Sequence, residues 1–584
     1  MYKIQNFVFP GIGIVSPEEM YFRGDNKKAY ASLNKKSIEF IEYGIATFDT
    51  FFNSLSVKPW KTNCQIDDLG LALAGQGKVR IRLGLYALNN HHRWLYEKDL
   101  ELSARPCEID LPFWKNLHEG MLYLEVRALS KAEITSGFFY TREKPKNNVK
   151  LGIVITHFNR KHYVLPAIRR ISEELLSDPY YKKHIELIVV DNSQNISDAE
   201  KGNSTLISSK NLGGSGGFTR GLLHLKDNNF THCLFMDDDA SCEIESICRT
   251  LHVLEYGKVD KLAVAGSMLR EAEPFRLHEK GARIEGTGVI NLKHGLDMRH
   301  VHDLLVAETD EPVTYGGWWH FAFRIKDVEH FSFPFFVRGD DMLFGLINSF
   351  KITTLNGVGG WADDFGVKES TINRYLSLRA HLMCLILGTD TSKWKMLRTI
   401  LGCVITANMS YNYSGAQAFI ESVRDVLKGP AFWEDNVDMA AVRKHLSCIA
   451  PGEKCEPVQI PAGAEVGRGL QESKKRRFFR IMTLNGFLLP NFLIKNKIVI
   501  ENKSFHAVFR RIFRYKCVIY ITPEKLGYTA EYNKKKFFKN LCDFGEVSFN
   551  FYRNFNKLKS DYKNSLNHLT SENFWRKIFF SNKN

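Results

Sequence analysis

The sequence predicts an α/β protein in three parts: an antiparallel β-sandwich domain over residues 1–145, an α/β domain on a parallel sheet over 146–385, and a mainly helical basic domain over 386–584. Three observations predict this. Apolar and polar residues alternate in the first part, strand and helix patterns alternate in the second, and apolar positions recur at helical spacing in the third. A length of 584 residues suits about three domains.

In the first part Leu71 and Leu73, then Val79, Ile81, Leu83 and Leu85, and later Leu122, Leu124, Val126 and Ala128, alternate with polar or small residues. Gly75-Gln76-Gly77 reads as a turn between two of these runs. Trp60, Trp94 and Trp114 are candidates for a sugar-stacking platform, with core or corner positions as the alternative.

After the polar linker Lys144-Pro145-Lys146-Asn147-Asn148, a buried strand over 150–155 ends in Thr156-His157-Phe158-Asn159-Arg160. A helix over 164–176 and a strand over 185–190, ending in Asp191-Asn192-Ser193, complete a right-handed βαβ unit. Ligands bind beyond the carboxyl ends of such strands, which gathers Phe158, Arg160 and Asp191 in one crevice. Arg160 can hydrogen-bond a diphosphate, and Asp191 can accept from a base or ribose donor.

Asn211-Leu212-Gly213-Gly214-Ser215-Gly216-Gly217 follows, ahead of a helix over 219–225. Its glycines let the backbone approach a nucleotide sugar; a flexible loop is the alternative. Then comes Phe235-Met236-Asp237-Asp238-Asp239-Ala240, after a short apolar strand. Crowded carboxylates repel one another unless a cation neutralises them, and Mg²⁺ or Mn²⁺ commonly joins protein carboxylates to a substrate diphosphate. Alternate residues of extended chain point the same way, so Asp237 and Asp239 are the expected ligands and Asp238 is turned away. The alternative is an acidic cap on a helix over 243–256.

These four motifs, in this order, resemble the inverting glycosyltransferases of the GT-A fold, and more narrowly the bacterial galactofuranosyltransferases of glycosyltransferase family 2. The resemblance extends to Gly317-Trp318-Trp319 and to Phe335-Phe336-Val337-Arg338-Gly339-Asp340-Asp341, and takes in the flanking domains. It implies that Phe158, Arg160 and Asp191 hold uridine diphosphate, with Asn211, Gly213, Gly214 and Asp238 also on the donor. It implies a Mn²⁺ or Mg²⁺ ion on Asp237 and Asp239, and Asp341 as the base that deprotonates the acceptor. Trp318, Trp319 and Asp340 would line the acceptor, a polysaccharide or lipid-linked glycan. A buried aromatic pair and a helix cap are the plain alternatives for Trp318-Trp319 and Asp340-Asp341.

The chain departs from the family pattern at three places. Ala362, followed by Asp363-Asp364, stands where a metal-binding histidine is usual; Ser377 replaces a second histidine, and Ala282 an acidic residue. Either Asp363 or Asp364 supplies an oxygen ligand instead, or water fills the position, or metal binding is weakened. His278 and His320 lie near, but a lone histidine is more often packed than a ligand. The departures keep open another donor, such as rhamnose or a hexopyranose, and a decayed carbohydrate-binding scaffold.

The net charge of +15 is concentrated late, in Lys474-Lys475-Arg476-Arg477, Arg510-Arg511 and Lys534-Lys535-Lys536, interleaved with phenylalanines. That pattern suits an anionic membrane surface or a solvated helical face. With no recognisable binding module, nucleic acid is not expected. Eleven cysteines without regular spacing predict reduced thiols. The amino-terminal stretch lacks a secretory pattern, and no window reaches about 18 apolar residues. The expected setting is cytoplasmic, peripheral on the inner membrane, with the resemblance implying a homo-oligomer.

Overall fold

The computed structural model describes residues 1–13, 16–25, 27–88, 91–363, 369–451, 454–466, 472–503, 509–522 and 525–580. The amino-terminal part is antiparallel throughout and is built on one strand, Gly70–Ala87. The first half of this strand pairs with Ala132–Thr141 and Cys107–Asp110, the second with Met121–Ala128 and His91–Leu102. The turn expected at Gly75-Gln76-Gly77 is therefore corrected: the strand runs through it. Gly77 has a φ of 90°, and a Cβ there would come within 2.4 Å of the Lys131 carbonyl oxygen, so a residue that looks like a turn former serves as a bend. Val79, Ile81, Leu83 and Leu85 are buried with Leu122, Leu124 and Val126, as the alternation predicts.

The central domain carries a seven-stranded sheet. Its strands are β1 (Leu151–His157), β2 (Ile185–Asp191), β3 (Thr205–Ser208), β4 (His232–Asp237), β5 (Leu262–Ala265), β6 (Phe321–Arg324) and β7 (Lys351–Thr353), in the order β3-β2-β1-β4-β6-β5-β7. The first four are parallel, and β6 runs antiparallel between β4 and β5. Nearly every residue of β1, β2 and β4 is buried, which is why they read as continuous apolar runs. Its helices include α1 (Lys161–Arg170), α2 (Gly213–Asp227), α3 (Ile244–Tyr256) and α4 (Asp340–Asn348). A second small sheet orders Ser241–Cys242, Gly359–Ala362, Ser267–Arg270 and Leu277–Glu279.

The glycine-rich segment is not a loop. It forms the first turns of α2, and its glycines set how closely the helix lies on the sheet. A Cβ on Gly217 would stand 2.2 Å from Thr156 Cγ2, and one on Gly221 2.3 Å from Val154 Cγ1. The amino-terminal domain docks on α3: buried Arg249 donates to the carbonyls of Phe52 and Asn356, each at 2.9 Å, and Asn6 hydrogen-bonds both oxygens of Glu245.

The expected boundary at 385 falls inside the helix Thr371–Gly388, which packs against Tyr413–Leu427 and Lys534–Leu569. The helix Lys534–Leu569 runs through Ser548 for 36 residues and is followed by a short last helix, Glu572–Phe580. The carboxyl-terminal part is mainly helical and also holds a five-stranded sheet around Tyr515–Ile521, which was not expected from the sequence. Among the described residues no helix is long and apolar enough to cross a membrane, and all eleven cysteines are free thiols.

Candidate active site

The ends of β1, β2 and β4 meet the start of α4 in one acidic cleft. Asp237 closes β4, with Asp238 and Asp239 on the turn after it. Arg160, at the start of α1, donates to Asp238 Oδ1 at 3.2 Å and to Asp239 Oδ2 at 2.8 Å. His157, fully buried at the end of β1, lies 3.4 Å from Asp238 Oδ2 and 3.2 Å from Asn195 Oδ1. Asp238 is thus buried and ties the loops after β1 and β4 together, and because one Arg160 nitrogen reaches both Asp238 and Asp239, the simple alternation expected of the triplet does not hold on the turn. No role was expected for His157 or Asn195 from the sequence, although His157 sits in the strand-end segment singled out for Phe158 and Arg160, and Asn195 lies two residues beyond Asp191-Asn192-Ser193. Burial, with repulsion from Asp239, Asp238, Asp340 and Asp341, pushes the Asp237 carboxyl well above its ordinary range.

Asp191 has a different task from the one expected. Its oxygens accept from the backbone N–H groups of Ser193, Gln194, Asn195 and Ile196, between 2.7 and 2.9 Å, and from the Ser193 hydroxyl. Burial alone would raise its pKa, but these hydrogen bonds hold it below the usual range. It shapes the loop after β2, while Phe158, 44% exposed, is the aromatic face open at the crevice mouth.

Asn211 Oδ1 accepts the Gly213 N–H at 3.1 Å, and Asn192 Nδ2 donates to the Gly213 carbonyl at 3.4 Å. Gly213 has a φ of 69°, and a Cβ there would stand 2.0 Å from the Phe336 carbonyl oxygen; one on Gly214 would be 3.0 Å from Asp340 Oδ2. The Ser215 hydroxyl donates to that same oxygen at 3.4 Å. The amino end of α2 therefore abuts the amino end of α4. Phe336, Arg338 and Gly339 all have positive φ, a strained approach that delivers Asp340 and Asp341 into the cleft. Burial and the adjacent Asp341 push Asp340 up to about 7. Burial raises Asp341 to about 6, against the pull of the Met342 N–H and Arg338.

The expectation that Trp318 and Trp319 together wall the acceptor is corrected for Trp318. It is 4% exposed, edge-on to Phe218, Phe235 and Phe344 in the core. Trp319 stays partly exposed and donates to the Gly266 carbonyl at 3.0 Å. His320 is packed, 2.8 Å from Thr250 Oγ1 and pushed down to about 4 by burial; His278 pairs with Asn291. Ala362 ends its strand without a ligating group, Asp363 is half-buried, and Asp364 lies outside the described residues. Ser377 lines a cavity of about 500 Å³ together with Arg338. Among the described residues no three His, Cys, Asp or Glu side chains converge as a metal site.

One acid was not anticipated. Glu279, at the end of the strand Leu277–Glu279, is 4% exposed, and its Oε1 has no hydrogen-bond partner. Burial, then repulsion from Asp341, raises it to about 8, and Tyr315 is pushed upward by burial, Glu279 and Asp341. The nearby Ala282, where the family has its acid, is wholly buried. Leu277 and Glu279 share one side of the strand, the sequence signal that could have found it.

Residues 152–292 match the model of glycosyl transferase family 2. The chain is 24% identical over 470 residues to galactofuranosyltransferase GlfT2 of Mycobacterium tuberculosis, across 73% of this chain and 72% of that protein. The chain is galactofuranosyltransferase-like and carries a family 2 glycosyltransferase domain. GlfT2 of Mycolicibacterium smegmatis is 23% identical over 453 residues, across 70% of this chain and 67% of its own. Among solved structures, mannosyl-3-phosphoglycerate synthase from Rubrobacter xylanophilus aligns at 15% identity over 41% of this chain and 74% of that one, with a TM-score of 0.26. The family 2 match falls on the parallel sheet and its helices, an α/β core of the GT-A kind. The family match takes in the acids after β4 and Glu279, while α4, with Asp340 and Asp341, lies beyond it.

Proposed function

We propose that this glycosyltransferase is inverting and metal-dependent, and moves galactofuranose from its uridine diphosphate donor to a lipid-linked or growing polysaccharide acceptor. The observation that carries the reading is the nearness, in the cleft, of buried Asp237 to Asp239, Asp340 and Asp341, which form no ready-made ligand cluster but lie close enough that like charge adds to burial in driving up the Asp237 pKa. Such a cleft fits a divalent cation. Two carboxylates beside a diphosphate are a hard oxygen set suited to Mn²⁺ or Mg²⁺, and in the free chain the Arg160 guanidinium supplies positive charge at Asp239. Asp237 and Asp239 would hold the ion, which when bound neutralises charge on the departing diphosphate.

The chain's own groups then have distinct tasks. Phe158 stacks on the uracil, and Arg160 turns from Asp239 to the diphosphate. Asp341 takes the proton of an acceptor hydroxyl as that oxygen attacks the anomeric carbon from the face opposite the bond to the diphosphate. A carboxyl near 6 is ionised at neutral pH and still basic enough to share that proton. Glu279, protonated at neutral pH, donates a hydrogen bond to the acceptor beside it. The losses at Ala362 and Ser377 favour a second reading, the same chemistry with another sugar. Incubation with a panel of nucleotide sugars and Mn²⁺ or Mg²⁺, reading released nucleoside diphosphate, tests both; the galactofuranose donor should be fastest, and no release from any donor would refute the reading.

Peripheral attachment to an anionic membrane is part of the proposal. Helix Lys474–Met482 sets Lys474, Lys475, Arg476 and Arg477 beside Phe478, Ile481 and Met482, which are 69%, 54% and 59% exposed, with Phe492 close in sequence at 84%. Exposed apolar side chains flanked by lysine and arginine suit the boundary between headgroups and acyl chains.

A further inference from the structure

The amino-terminal domain carries an aromatic surface that the transfer reaction does not use. Trp60 and Trp114 are buried, at 0% and 1% exposure, so the three-tryptophan platform is corrected; Trp94, at 44%, is the member that reaches solvent. It does not stand alone. Pairing across the sheet sets His92 opposite Tyr86, Trp94 opposite Gly84, Glu97 opposite Arg82 and Asp99 opposite Arg80. Tyr123 lies on the other side of Gly84. The intervening residues Ile81, Leu83, Leu85, Leu122 and Leu124 fill the core, so these side chains share the outer face.

Gly84 makes the aromatic arrangement possible. A Cβ there would stand 2.5 Å from the Tyr123 ring, so its absence lets that ring lie flat across the strand. Tyr123 stacks on Tyr86 with centroids 4.8 Å apart and an angle of 10°, and its hydroxyl lies 2.8 Å from His92 Nε2. The Trp94 indole stands edge-on to His92 at 4.8 Å. The Arg82 guanidinium lies over one face of the indole, 5.1 Å from the ring centroid, and pairs with Glu97, and Arg80 pairs with Asp99 at 2.6 Å, so the opposite indole face is the one offered to a ligand. An indole plane held by aromatic packing, next to charged groups fixed by their partners, is complementary to a sugar chain. Ring C–H groups cover the indole, and hydroxyls bridge guanidinium and carboxylate. A lipid surface or a broad apolar protein interface would leave those ion pairs without solvent.

We infer that this outer face, around Trp94, His92 and Tyr86, is a second glycan-binding site that holds an acceptor or product chain away from the catalytic cleft. The inference rests on the glycosyltransferase reading for its ligand class, a polysaccharide, and extends it to a surface outside the transfer site. Stacking on one exposed indole, with the hydrogen bonds it aligns, corresponds to about ten-fold in affinity.

The test uses the full-length protein and two separate readouts. Affinity electrophoresis through a galactofuranose polysaccharide, with dextran as control, should retard wild type and Asp341→Asn. Trp94→Ala should lose about ten-fold in affinity, keep the wild-type thermal midpoint, and transfer to a disaccharide acceptor at the wild-type rate. Equal retardation of Trp94→Ala and wild type overturns the inference, as does a wild type that binds neither polysaccharide. A Trp94→Ala protein that changes oligomeric mass and not glycan affinity also overturns it, making the face a contact between copies. If wild type transfers nothing to the disaccharide while Trp94 still governs retardation, the transfer reading fails and the binding site stands.

Discussion

Replacing Glu279 by glutamine is expected to stabilise the protein, and to do so more strongly as pH rises. Glu279 is 4% exposed, has an oxygen without a partner, and is raised from 4.5 to about 8 by burial and by Asp341. Between those two values the unfolded chain releases this proton and the folded chain retains it. Stability is therefore full below about 4.5 and falls as pH rises toward about 8. Each pH unit in that window costs about 1.4 kcal/mol. The penalty is thus at most about 3 kcal/mol at pH 7 and about 5 kcal/mol above pH 8. Glutamine keeps the shape of the protonated acid and has no proton to lose. Thermal unfolding of donor-free wild type and Glu279→Gln at pH 5, 7 and 8.5 should show midpoints that nearly coincide at the lowest pH and diverge above it. In an Asp341→Asn background the divergence should shrink, because the repelling charge is gone. A difference independent of pH would refute the reasoning, since it would mean that the folded chain ionises Glu279 as readily as the unfolded one.

Other outcomes follow from the same geometry. Gly217→Val should cost about 1–3 kcal/mol in denaturant unfolding by forcing α2 away from Thr156; an unchanged midpoint would show that the helix shifts freely. Asp191→Asn should weaken the loop after β2, with faster proteolysis between 192 and 197 at neutral pH, and wild type should approach that behaviour as pH falls through the depressed Asp191 value; equal cleavage of the two at pH 7 would count against it. Joint replacement of Phe478 and Ile481 by glutamate should abolish sedimentation with vesicles of phosphatidylglycerol, and persistence would remove Lys474–Met482 as the attachment.

Much of the central sheet was legible because buried parallel strands are continuous apolar runs, and because their ends carry the polar residues of the site. The start of α2 was not. Four glycines disfavour a helix locally, and what fixes one is the packing of Gly217 on Thr156 and Gly221 on Val154, partners from a distant strand. Gly75-Gln76-Gly77 misleads for a related reason: its pairing with Ala132–Thr141 overrides turn chemistry. Asp191 and Trp318 stand out as positions, but what each does is decided by the backbone conformation of the loop after Asp191, which turns four N–H groups onto its carboxylate, and by aromatic neighbours of Trp318 from other segments. Glu279 acquires its character from Asp341 on a helix far along the chain, a relation that no local pattern records.

The most direct test of the central claim is a comparison of uridine diphosphate binding by calorimetry with turnover of the galactofuranose donor, in Mn²⁺ and in a chelator. Asp341→Asn should bind the nucleotide as wild type does and transfer nothing, whereas Asp237→Ala should lose the part of binding that Mn²⁺ confers. Transfer by Asp341→Asn at the wild-type rate, or nucleotide binding by wild type that is the same with Mn²⁺ and with chelator, would contradict the division of work between the strand-end acids and the helix that faces them.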